Sequence, residues 1–397
     1  MSTKTHRGRI LVSGASVAGP AVAYWLDRYG YDVTVVERSA SLRGGGYPID
    51  LRGAAMVAAE RMGLLPQLQA ANIHTRRVTF VDQFGVVSGS VEPGVVTGSI
   101  NGKAVELPRG ELARMLFERT HEHVDYRFGQ SIAAVQSAPQ GVAVTFQSGL
   151  EQSFDLVIGA DGLHSNTRKL VFGPEAQFTR SIGFSFAGFA VPNTFGLSHE
   201  GVMWNVPGLM ATLYAAGEQD YVHGLLAFAH DGIVRDAGEQ RRLVREVFAG
   251  YGWHIPALLE AMDLAEDFYF DTIEQVRMPV WHSSRVVLVG DAACGPSFLT
   301  GQGTSLALAG AYVLASEIAR SADYASGLAA YDQRLRPFVL ANQATVEEGQ
   351  AMVIPATAEQ LQARNAALQA IVSDTETASS QQAAHDALDL RDYISML

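Results

Sequence analysis

Residues 9–38 contain the feature that most constrains the fold: a strand, a glycine turn, an apolar helix and a second strand that ends on an acidic residue. Residues 10–12 are apolar and prone to form strands, as expected for a strand buried on both faces. Gly14 permits a sharp turn, and Gly19 lets the helix pack closely against the strand. The segment therefore predicts a βαβ unit of the kind that binds dinucleotides.

The helix N-terminus of this unit offers unpaired N–H groups and the positive end of a dipole to a pyrophosphate. Ser16 stands where the usual pattern has its middle glycine, and its side chain leaves slightly less room for the phosphates. Glu37 follows Gly19 by 18 residues, and its carboxylate can accept both hydrogen bonds of a ribose diol. The alternative is a βαβ unit that binds no nucleotide, because a glycine pattern alone is weak evidence.

The composition indicates a protein with a substantial core. The chain has 397 residues, 48% apolar and 18% charged, which is enough for two domains or one large composite domain. Its net charge of -12 argues against nucleic acid and against an anionic membrane surface as partners. The sequence has no signal-peptide pattern and no apolar run of the ~18 residues that a membrane span needs. Cys294 is the single cysteine, so we expect no internal disulfide and no cysteine-rich metal site. Together these features predict a soluble cytoplasmic protein, and we name no metal ligands.

A second candidate ligand loop follows the apolar strand predicted over residues 154–159. This strand ends at Asp161 and Gly162, and a helix follows. An aspartate at the carboxyl end of a parallel strand points into the crevice where such sheets bind ligands. A plain Asp-Gly turn is the alternative.

A third candidate loop begins at Asp291, after the strand predicted over residues 285–289, and leads into a helix predicted from about 304 to 320. Gly301 and Gly303 place free N–H groups at the start of that helix. One long ligand that touches all three turns is more economical than three separate ligands. A flavin dinucleotide would do this, with its ADP at the first turn and its isoalloxazine ring near the last.

Two further segments fit a long, flat, anionic ligand. Residues 43–53 hold four glycines and a proline, which predicts a loop laid along a flat molecule or, alternatively, a plain linker. Arg109 stands at the start of a predicted helix, where a positive charge is poorly placed for the helix dipole. An anionic ligand nearby would explain that arginine, whereas a solvated side chain is the alternative.

Strand patterns dominate residues 175–275 and predict a mostly antiparallel sheet with an apolar face. Such a face is either ordinary core or the wall of a pocket for a flat apolar molecule. Our candidates for that wall are Phe189, Met210 and His223, with core packing as the alternative for each. After residue 325 the patterns are helical, at 328–350, 357–372 and 381–396.

Four motifs, in order, resemble those of the single-component flavin monooxygenases of the para-hydroxybenzoate hydroxylase type, also called class A. They are the first glycine turn with Glu37 and Arg38, Leu107-Pro-Arg109, Gly159-Ala-Asp-Gly162, and Gly290-Asp-Ala-Ala followed by Gly301-Gln-Gly303. The segment from Gly45-Gly46 through Asp50-Leu-Arg52 and the helical C-terminal extension look most like the tetracycline-inactivating enzymes and related polyketide hydroxylases.

The resemblance implies an α/β fold: a Rossmann-like FAD-binding domain, a mostly antiparallel β-sheet substrate domain and C-terminal helices. It places residues 1–75, 100–175 and 276–325 in the FAD-binding domain. Residues 76–99 and 176–275 would form the substrate-binding domain, and residues 326–397 the C-terminal helical segment.

The resemblance also implies which residues contact FAD. The first turn would hold the pyrophosphate, Glu37 the ribose, Asp291 the ribityl chain, and Asp161 both the flavin and the passing NAD(P)H. The full implied set is Gly14, Ala15, Ser16, Val17, Ala18, Gly19, Glu37, Arg38, Asp50, Arg52, Arg109, Asp161, Asp291, Gly301, Gly303 and Thr304. Cys294, Phe298 and Ser305 stand where the family usually has histidine, proline and asparagine.

The implied reaction is a hydroxylation in which NADPH or NADH reduces FAD, O2 forms a flavin hydroperoxide, and one oxygen passes to a phenolic or enolic carbon. The cofactor carries the chemistry, so the resemblance implies no catalytic side chain. The substrate would be an aromatic, polyketide- or tetracycline-like molecule, and the protein a monomer or homodimer that modifies antibiotics. The alternatives are a halogenase, a Baeyer–Villiger-type oxygenase or a non-catalytic flavin-fold binding protein.

Overall fold

The computed structural model describes residues 7–42, 44, 47–93, 104–371, 380–385 and 387–393. Over these ranges the chain forms a six-stranded sheet, a seven-stranded sheet and two small sheets, with helices packed on them. The predicted α/β fold, with a mostly antiparallel second sheet and helices at the C-terminal end, is confirmed. Parts of the predicted segments lie outside the described residues: 1–6, 43, 45–46, 94–103, 372–379, 386 and 394–397.

The six-stranded sheet has the first strand of the chain at its centre. All neighbouring strands are parallel except the pair β17 and β18 at one edge. In spatial order the strands are β17 (His282–Ser283), β18 (Val286–Leu288), β11 (Leu156–Gly159), β1 (Arg9–Ser13), β2 (Asp32–Glu37) and β7 (Asp125–Phe128). The carboxyl ends of β1, β11 and β18 therefore lie side by side, and all three predicted ligand turns follow them.

Two small antiparallel sheets accompany the six-stranded sheet. One pairs β3 (Pro48–Leu51) with β6 (Val105–Pro108), and its register sets Asp50 directly opposite Glu106. The other contains β8 (Ile132–Ala138), β9 (Gly141–Phe146) and β10 (Glu151–Phe154). Residues 50 and 106 therefore lie on the same face of the two-stranded ribbon of β3 and β6.

The seven-stranded sheet is antiparallel except where β4 runs alongside β13. In spatial order it contains β16 (Tyr269–Val276), β12 (Thr179–Pro192), β15 (Tyr221–Ala229), β14 (Leu209–Ala215), β13 (Glu200–Val206), β4 (Arg77–Val81) and β5 (Val87–Val91). Strands β4 and β5 pair as an antiparallel hairpin at one edge of this sheet.

The helices lie mainly on the faces of the two large sheets. They are α1 (Ala18–Arg28), α2 (Ala54–Arg61), α3 (Leu65–Ala70), α4 (Arg109–Glu118), α5 (Asn166–Val171), α6 (Ala237–Phe248), α7 (Ile255–Leu264), α8 (Asp291–Cys294), α9 (Gly303–Arg320), α10 (Tyr324–Ala344), α11 (Val346–Val353), α12 (Ala358–Ile371) and α13 (Ser380–His385). Residues 298–300 form one turn of 3-10 helix.

Helix α9 joins distant parts of the chain into one core. Its residues 305–319 are all buried, and it packs against α1. Tyr29 and Ser316 share a hydrogen bond of 2.9 Å between their hydroxyl groups, and Arg7 donates to the carbonyl of Ala319 at 2.7 Å. The N-terminal βαβ unit is thus completed by a helix from the last quarter of the chain.

The two faces of the seven-stranded sheet are covered by different elements, because side chains alternate along each strand. The outer face packs against α6 and α7 through an apolar cluster that includes Phe189, Leu226 and Leu258. The inner face packs against the 298–300 turn, α11 and α12 through a second cluster, which includes Phe186 and Met210.

Two predicted helices end earlier than the sequence pattern suggested. The helix predicted over residues 328–350 is two helices, because the chain turns at Thr345, whose hydroxyl bonds back to the carbonyl of Asn342 at 2.9 Å. The helix predicted over residues 381–396 ends at His385. The carbonyls of residues 389–391 accept hydrogen bonds from side chains elsewhere instead of from a helical turn. Among the described residues, none of the helices is long and apolar enough to cross a membrane.

Candidate functional site

The first turn after β1 is shaped so closely by its neighbours that two positions admit only glycine. Gly14 has a φ of 111°, and a Cβ added there would lie 2.4 Å from the carbonyl oxygen of Ala160. A Cβ on Gly19 would lie 1.8 Å from the carbonyl oxygen of Gly14. The backbone amide of Gly14 donates to Val36 at 2.8 Å, which ties the turn to β2. Helix α1 then begins without a side-chain cap, so its first N–H groups face the turn.

Two charged side chains border this turn. Glu37 accepts hydrogen bonds from the backbone N–H of Ala15 at 2.9 Å and of Ser39 at 3.0 Å. Arg109, at the start of α4, donates from Nη2 to the hydroxyl of Ser16 at 3.1 Å. The guanidinium therefore lies beside the predicted phosphate turn, where an anionic ligand would contact it. Arg38, which follows Glu37, is exposed.

The second turn is organised by its aspartate. One carboxylate oxygen of Asp161 accepts from the hydroxyl of Ser165 at 2.5 Å. The other accepts from the backbone N–H and the hydroxyl of Thr167 at 2.8 and 2.7 Å. In this structure the side chain thus holds the start of α5 against the end of β11. The predicted contact of Asp161 with a ligand stays a prediction.

Sequence reasoning missed the role of Arg168 in joining the second and third turns. Its side chain is fully buried and donates to the carbonyl of Leu163 at 2.6 Å and to that of Ala292 at 3.1 Å. A buried arginine between two loops is held by backbone acceptors, which a linear pattern does not reveal. The contact fixes the distance between the turn at residue 162 and helix α8.

The third turn surrounds Asp291. Gly290 has a φ of 65°, and Asp291 follows it as the first residue of α8. Burial raises the pKa of Asp291, and the positive charges of Arg109 and Arg168 oppose that shift. Cys294 is buried, and burial raises the pKa of its thiol, so it is an inert packing residue.

The loop before α9 offers backbone N–H groups beside the third turn. Gly301 is left-handed, with a φ of 64°, and α9 begins at Gly303 without a side-chain cap. Thr304 is half-buried in the first turn of this 18-residue helix. Such a helix start suits an anion or an electron-rich carbonyl group.

The segment around β3 folds against this third loop. The side chain of Arg52 is 3% exposed and forms an ion pair of 2.5 Å with Asp50. Its guanidinium lies close to Gly301, since a Cβ added to that glycine would be 4.0 Å from both Nη atoms. The backbone N–H of Arg52 also donates to the hydroxyl of Ser305 at 3.4 Å. Residues 50–52 therefore lie beside the start of α9, and the predicted course of the loop along a flat ligand stays a prediction.

The inner face of the seven-stranded sheet meets the third loop through aromatic side chains. The rings of Phe186 and Phe298 are 4.9 Å apart, and Met210 belongs to the same cluster. His223 lies opposite Tyr214 in the sheet register, on the inner face. Burial lowers the pKa of His223, and the carboxylate of Asp267 opposes that shift. The pocket roles of Met210 and His223 stay predictions.

Phe189 requires a correction. We predicted that it lines the same wall as Met210, but it is buried in the outer cluster with Leu226 and Leu258. The physical reason is alternation: Phe184 and Phe186 face inward on β12, so residue 189 faces outward. Phe189 packs the sheet against α7 and is not a residue of the inner face.

Sequence reasoning also missed two polar clusters at the ends of the inner face. At one end, Asp271 contacts His164, with 3.1 Å between its carboxylate and Nε2, and Glu175 contacts Nδ1 at 2.6 Å. The hydrogen bond to Asp271 raises the pKa of His164 to about 9, which partial desolvation opposes and Glu175 supports. At the other end, Tyr214 donates to Glu106. No local pattern brings together residues that are about a hundred positions apart.

Taken together, the three turns lie side by side at the carboxyl ends of β1, β11 and β18. Their glycines leave room for backbone approach, two helix N-termini adjoin them, and Arg109 supplies a positive charge. Of the predicted contact residues, Ala15, Val17 and Ala18 lie in the first turn and its helix start, and Gly303 begins α9. Among the described residues, no cluster of side chains is suited to hold a metal ion.

Comparisons with known proteins agree with this geometry. The sequence profile of the family described as "FAD binding domain" matches residues 7–195. A "Flavin-dependent monooxygenase" of an unknown prokaryotic organism is 38% identical over 368 residues, which cover 91% of this chain and 94% of that protein. A "Flavin-dependent monooxygenase" of Legionella longbeachae serogroup 1 (strain NSW150) is 37% identical over 339 residues, covering 84% of this chain and 87% of that protein.

A solved structure matches nearly the whole chain. The crystal structure of the tetracycline destructase Tet(55) superimposes with a TM-score of 0.84 at 35% sequence identity, over 97% of this chain and 98% of that one.

Proposed function

This chain belongs to the FAD-dependent monooxygenases, and from that premise we propose that it hydroxylates a phenolic or enolic polycyclic molecule of the polyketide or tetracycline type. The observation that carries the substrate class is the inner face of the seven-stranded sheet. Its apolar side chains, among them Phe186 and Met210, form a buried wall that packs against Phe298 in the loop that precedes α9. A flat ring system suits such a wall. The likeness to the tetracycline destructase Tet(55) supports the same class.

We assign FAD to the crevice of the three turns. The first turn would bind the pyrophosphate, aided by Arg109, and Glu37 would accept the ribose hydroxyls once its bond to Ala15 is exchanged. Asp291 and the N-terminus of α9 would hold the ribityl chain and the pyrimidine side of the ring. We keep the predicted division into an FAD-binding domain (1–75, 100–175, 276–325), a substrate domain (76–99, 176–275) and a helical C-terminal segment (326–397).

When bound, FAD would carry electrons from NADPH or NADH to O2 and transfer one oxygen atom to the substrate. The chain's own residues position the substrate and exclude water. Phe298 and Leu299 carry the third loop into the apolar inner cluster, where bulk water is displaced. We place the reaction in the cytoplasm, where NAD(P)H is available.

The test is NADPH and NADH oxidation by the purified yellow protein, with and without tetracycline and a panel of phenolic polyketides. We expect oxidation to rise with substrate and the product to gain the mass of one oxygen atom, with and without chloride or bromide present. A halide in the product would indicate a halogenase instead. No stimulation across the panel, in a protein that holds FAD, would favour a binding protein without turnover.

A further inference from the structure

The third loop joins α8 to α9, and its first three backbone carbonyls, in residues 294–296, all accept hydrogen bonds from β16 and α10. Nε2 of Gln343, on α10, donates to the first of these carbonyls at 3.3 Å. The backbone N–H of Val276, on β16, donates to the second at 2.8 Å, and Nε2 of Gln275 donates to the third at 2.9 Å. The path of the loop is therefore set by two elements that lie outside the FAD crevice.

The side chains of Gln275 and Gln343 form a glutamine clamp in which all four amide hydrogens are used. Gln275 is fully buried and Gln343 is 3% exposed. Nε2 of Gln275 also donates to the backbone carbonyl of Gln343 at 2.8 Å, and Nε2 of Gln343 donates to that of Val276 at 2.8 Å. The guanidinium of Arg277 donates to Oε1 of Gln275 at 2.7 and 2.9 Å. These bonds fix the orientation of the Gln275 amide, with its NH2 group toward the loop.

Directly after the clamped carbonyls, the loop has a strained backbone. Ser297 has a φ of 84° and a ψ of 147°. Glycine adopts such angles readily, whereas a residue with a Cβ adopts them at a cost and only where its surroundings hold it. The carbonyl of Ser297 accepts from the hydroxyl of Thr300 at 3.0 Å, a bond that lies within the loop itself. A serine in this conformation indicates that the neighbouring elements, rather than the loop, determine its path.

Helix α11 holds the same loop at a second place. A Cβ added to Gly349 would lie 2.0 Å from the carbonyl oxygen of Leu299, so the backbone of the helix touches the loop directly. Leu299 is also buried in the inner cluster. The loop then continues into α9, which begins at Gly303 without a side-chain cap. A shift of the loop would therefore move the N–H groups at the start of that helix.

A tie that serves stability alone is the competing explanation, and the strain at Ser297 argues against it. Hydrogen bonds that served only stability would relax the loop, because strain lowers the stability that the bonds supply. Strained backbone of this kind clusters at ligand sites. The clamp also lies between Asp291 and the start of α9, the two groups to which we assigned the ribityl chain and the pyrimidine side of the ring.

We propose that Gln275 and Gln343 are positioning residues that hold the third loop so that the N-terminus of α9 contacts the flavin ring and favours its reduced form. Hydride transfer from NADPH or NADH leaves an added electron pair on the ring. The positive end of a helix dipole stabilises the negative charge that this pair brings. The clamp therefore raises both the affinity for FAD and its reduction potential. The inference rests on the FAD crevice assigned above and holds for any substrate.

The first experiment removes the amide donors at nearly constant side-chain size. Gln275→Met and Gln343→Met should each raise the Kd for oxidised FAD about tenfold, measured by titration of the apoprotein. Reduced FAD should lose about tenfold more affinity, which lowers the two-electron reduction potential by about 30 mV.

Asn342→Leu is the matched control, because this neighbouring buried amide ties α10 to the carbonyl of Ala384 instead. Its Tm should fall while the Kd for FAD and the potential stay unchanged. Equal changes of Kd and potential in Asn342→Leu, or no change in either glutamine variant, would overturn the clamp.

The second experiment tests whether the clamp acts through the strained residue. Ser297→Gly combined with Gln275→Met should return the Kd for FAD and the potential toward wild type, because glycine adopts the loop conformation without strain. The Tm should stay lowered, since the lost hydrogen bonds are not replaced. Ser297→Ala combined with Gln275→Met is the control and should not rescue, because alanine keeps the Cβ. Where a glutamine variant alone is insoluble, soluble FAD-bound protein should return with Ser297→Gly and not with Ser297→Ala. Equal behaviour of the glycine and alanine double variants would overturn the clamp.

A reference variant separates the clamp from the assigned site. Arg109→Gln alters the crevice at the first turn, away from the third loop, and should weaken FAD binding. If Arg109→Gln binds FAD more weakly while both glutamine variants keep the wild-type affinity and potential, the clamp is overturned and the crevice stands. If none of the three variants changes FAD binding, the crevice and the clamp are both wrong. No substrate enters these measurements, so a wrong substrate class leaves their outcome unchanged.

Discussion

The FAD crevice and the inner face of the seven-stranded sheet are built by different means. The crevice is shaped mainly by backbone, through the glycines at residues 14 and 19 and two helix N-termini. The inner face is shaped by side chains instead, and its two polar ends are made by residues from three separate strands and two loops. A backbone site tolerates few changes but serves any member of the family, whereas a side-chain site can change its substrate by substitution. The predictions below test that contrast.

The largest effect should come from the first turn. Gly14→Ala places a Cβ 2.4 Å from a carbonyl oxygen at a φ of 111°, so we expect loss of FAD binding and of most soluble protein. Gly149→Ala is the matched control, since that glycine has a φ of 83° and open space around it, and should cost about 1–2 kcal/mol. FAD retention on purification and thermal unfolding give the comparison. A yellow, stable Gly14→Ala protein would contradict a backbone-defined site.

The next effect separates the two faces of one sheet. Phe189→Ala should lower the free energy of unfolding by about 3–5 kcal/mol, because the ring is buried on the outer face. Met210→Ala, on the inner face, should cost about 2–5 kcal/mol and also raise KM for the best substrate of the panel. Urea unfolding measures the loss of stability in each variant, and steady-state kinetics measure KM and substrate preference. A changed substrate preference in Phe189→Ala, at unchanged preference in Met210→Ala, would reverse our assignment of the faces.

A smaller effect is expected for Arg109, the charged side chain at the start of α4 that borders the first turn. Arg109→Gln should weaken FAD binding about tenfold, close to 1.4 kcal/mol, and the loss should shrink at high salt because screening weakens ionic contacts. Arg114→Gln, one turn later on the same helix and paired with Glu111 and Glu118, is the control. Titration of the apoprotein with FAD measures both. Equal affinities for the two variants would remove Arg109 from the site.

The smallest effect concerns the polar end of the inner face at His164. The pKa of His164 is raised to about 9, chiefly by its bond to Asp271, so its stabilisation is complete below the ordinary value of 6.5 and is lost as pH rises through about 9. The ring is half exposed to solvent, so the effect should be below about 1 kcal/mol. His164→Gln should therefore lower Tm more at pH 6 than at pH 10, relative to wild type. An equal difference at both values would mean that the charge on His164 contributes nothing.

The contrast also explains which parts were predictable from sequence. Gly14, Gly19 and Gly301 were found because a turn's demands on its glycines are local and leave a fixed spacing. Phe189 was misplaced because the sequence shows alternation but not which face α6 and α7 will cover. The meeting of Tyr214 with Glu106 has no local signal, since 108 positions separate them. The last predicted helix failed because residues 389–391 give their carbonyls to distant side chains.

The central strand order has a consequence for synthesis on the ribosome. Strands β1 and β2 leave the ribosome early, but β18 begins at Val286 and α9, which covers α1, follows it. About 250 residues separate Glu37 from that strand, so at about 5–20 residues per second the unfinished unit waits roughly 12–50 s. During this interval the apolar surface of α1, with Trp25 and Leu26, has no permanent cover. We therefore expect slow translation to raise the demand of the nascent N-terminal βαβ unit for chaperones.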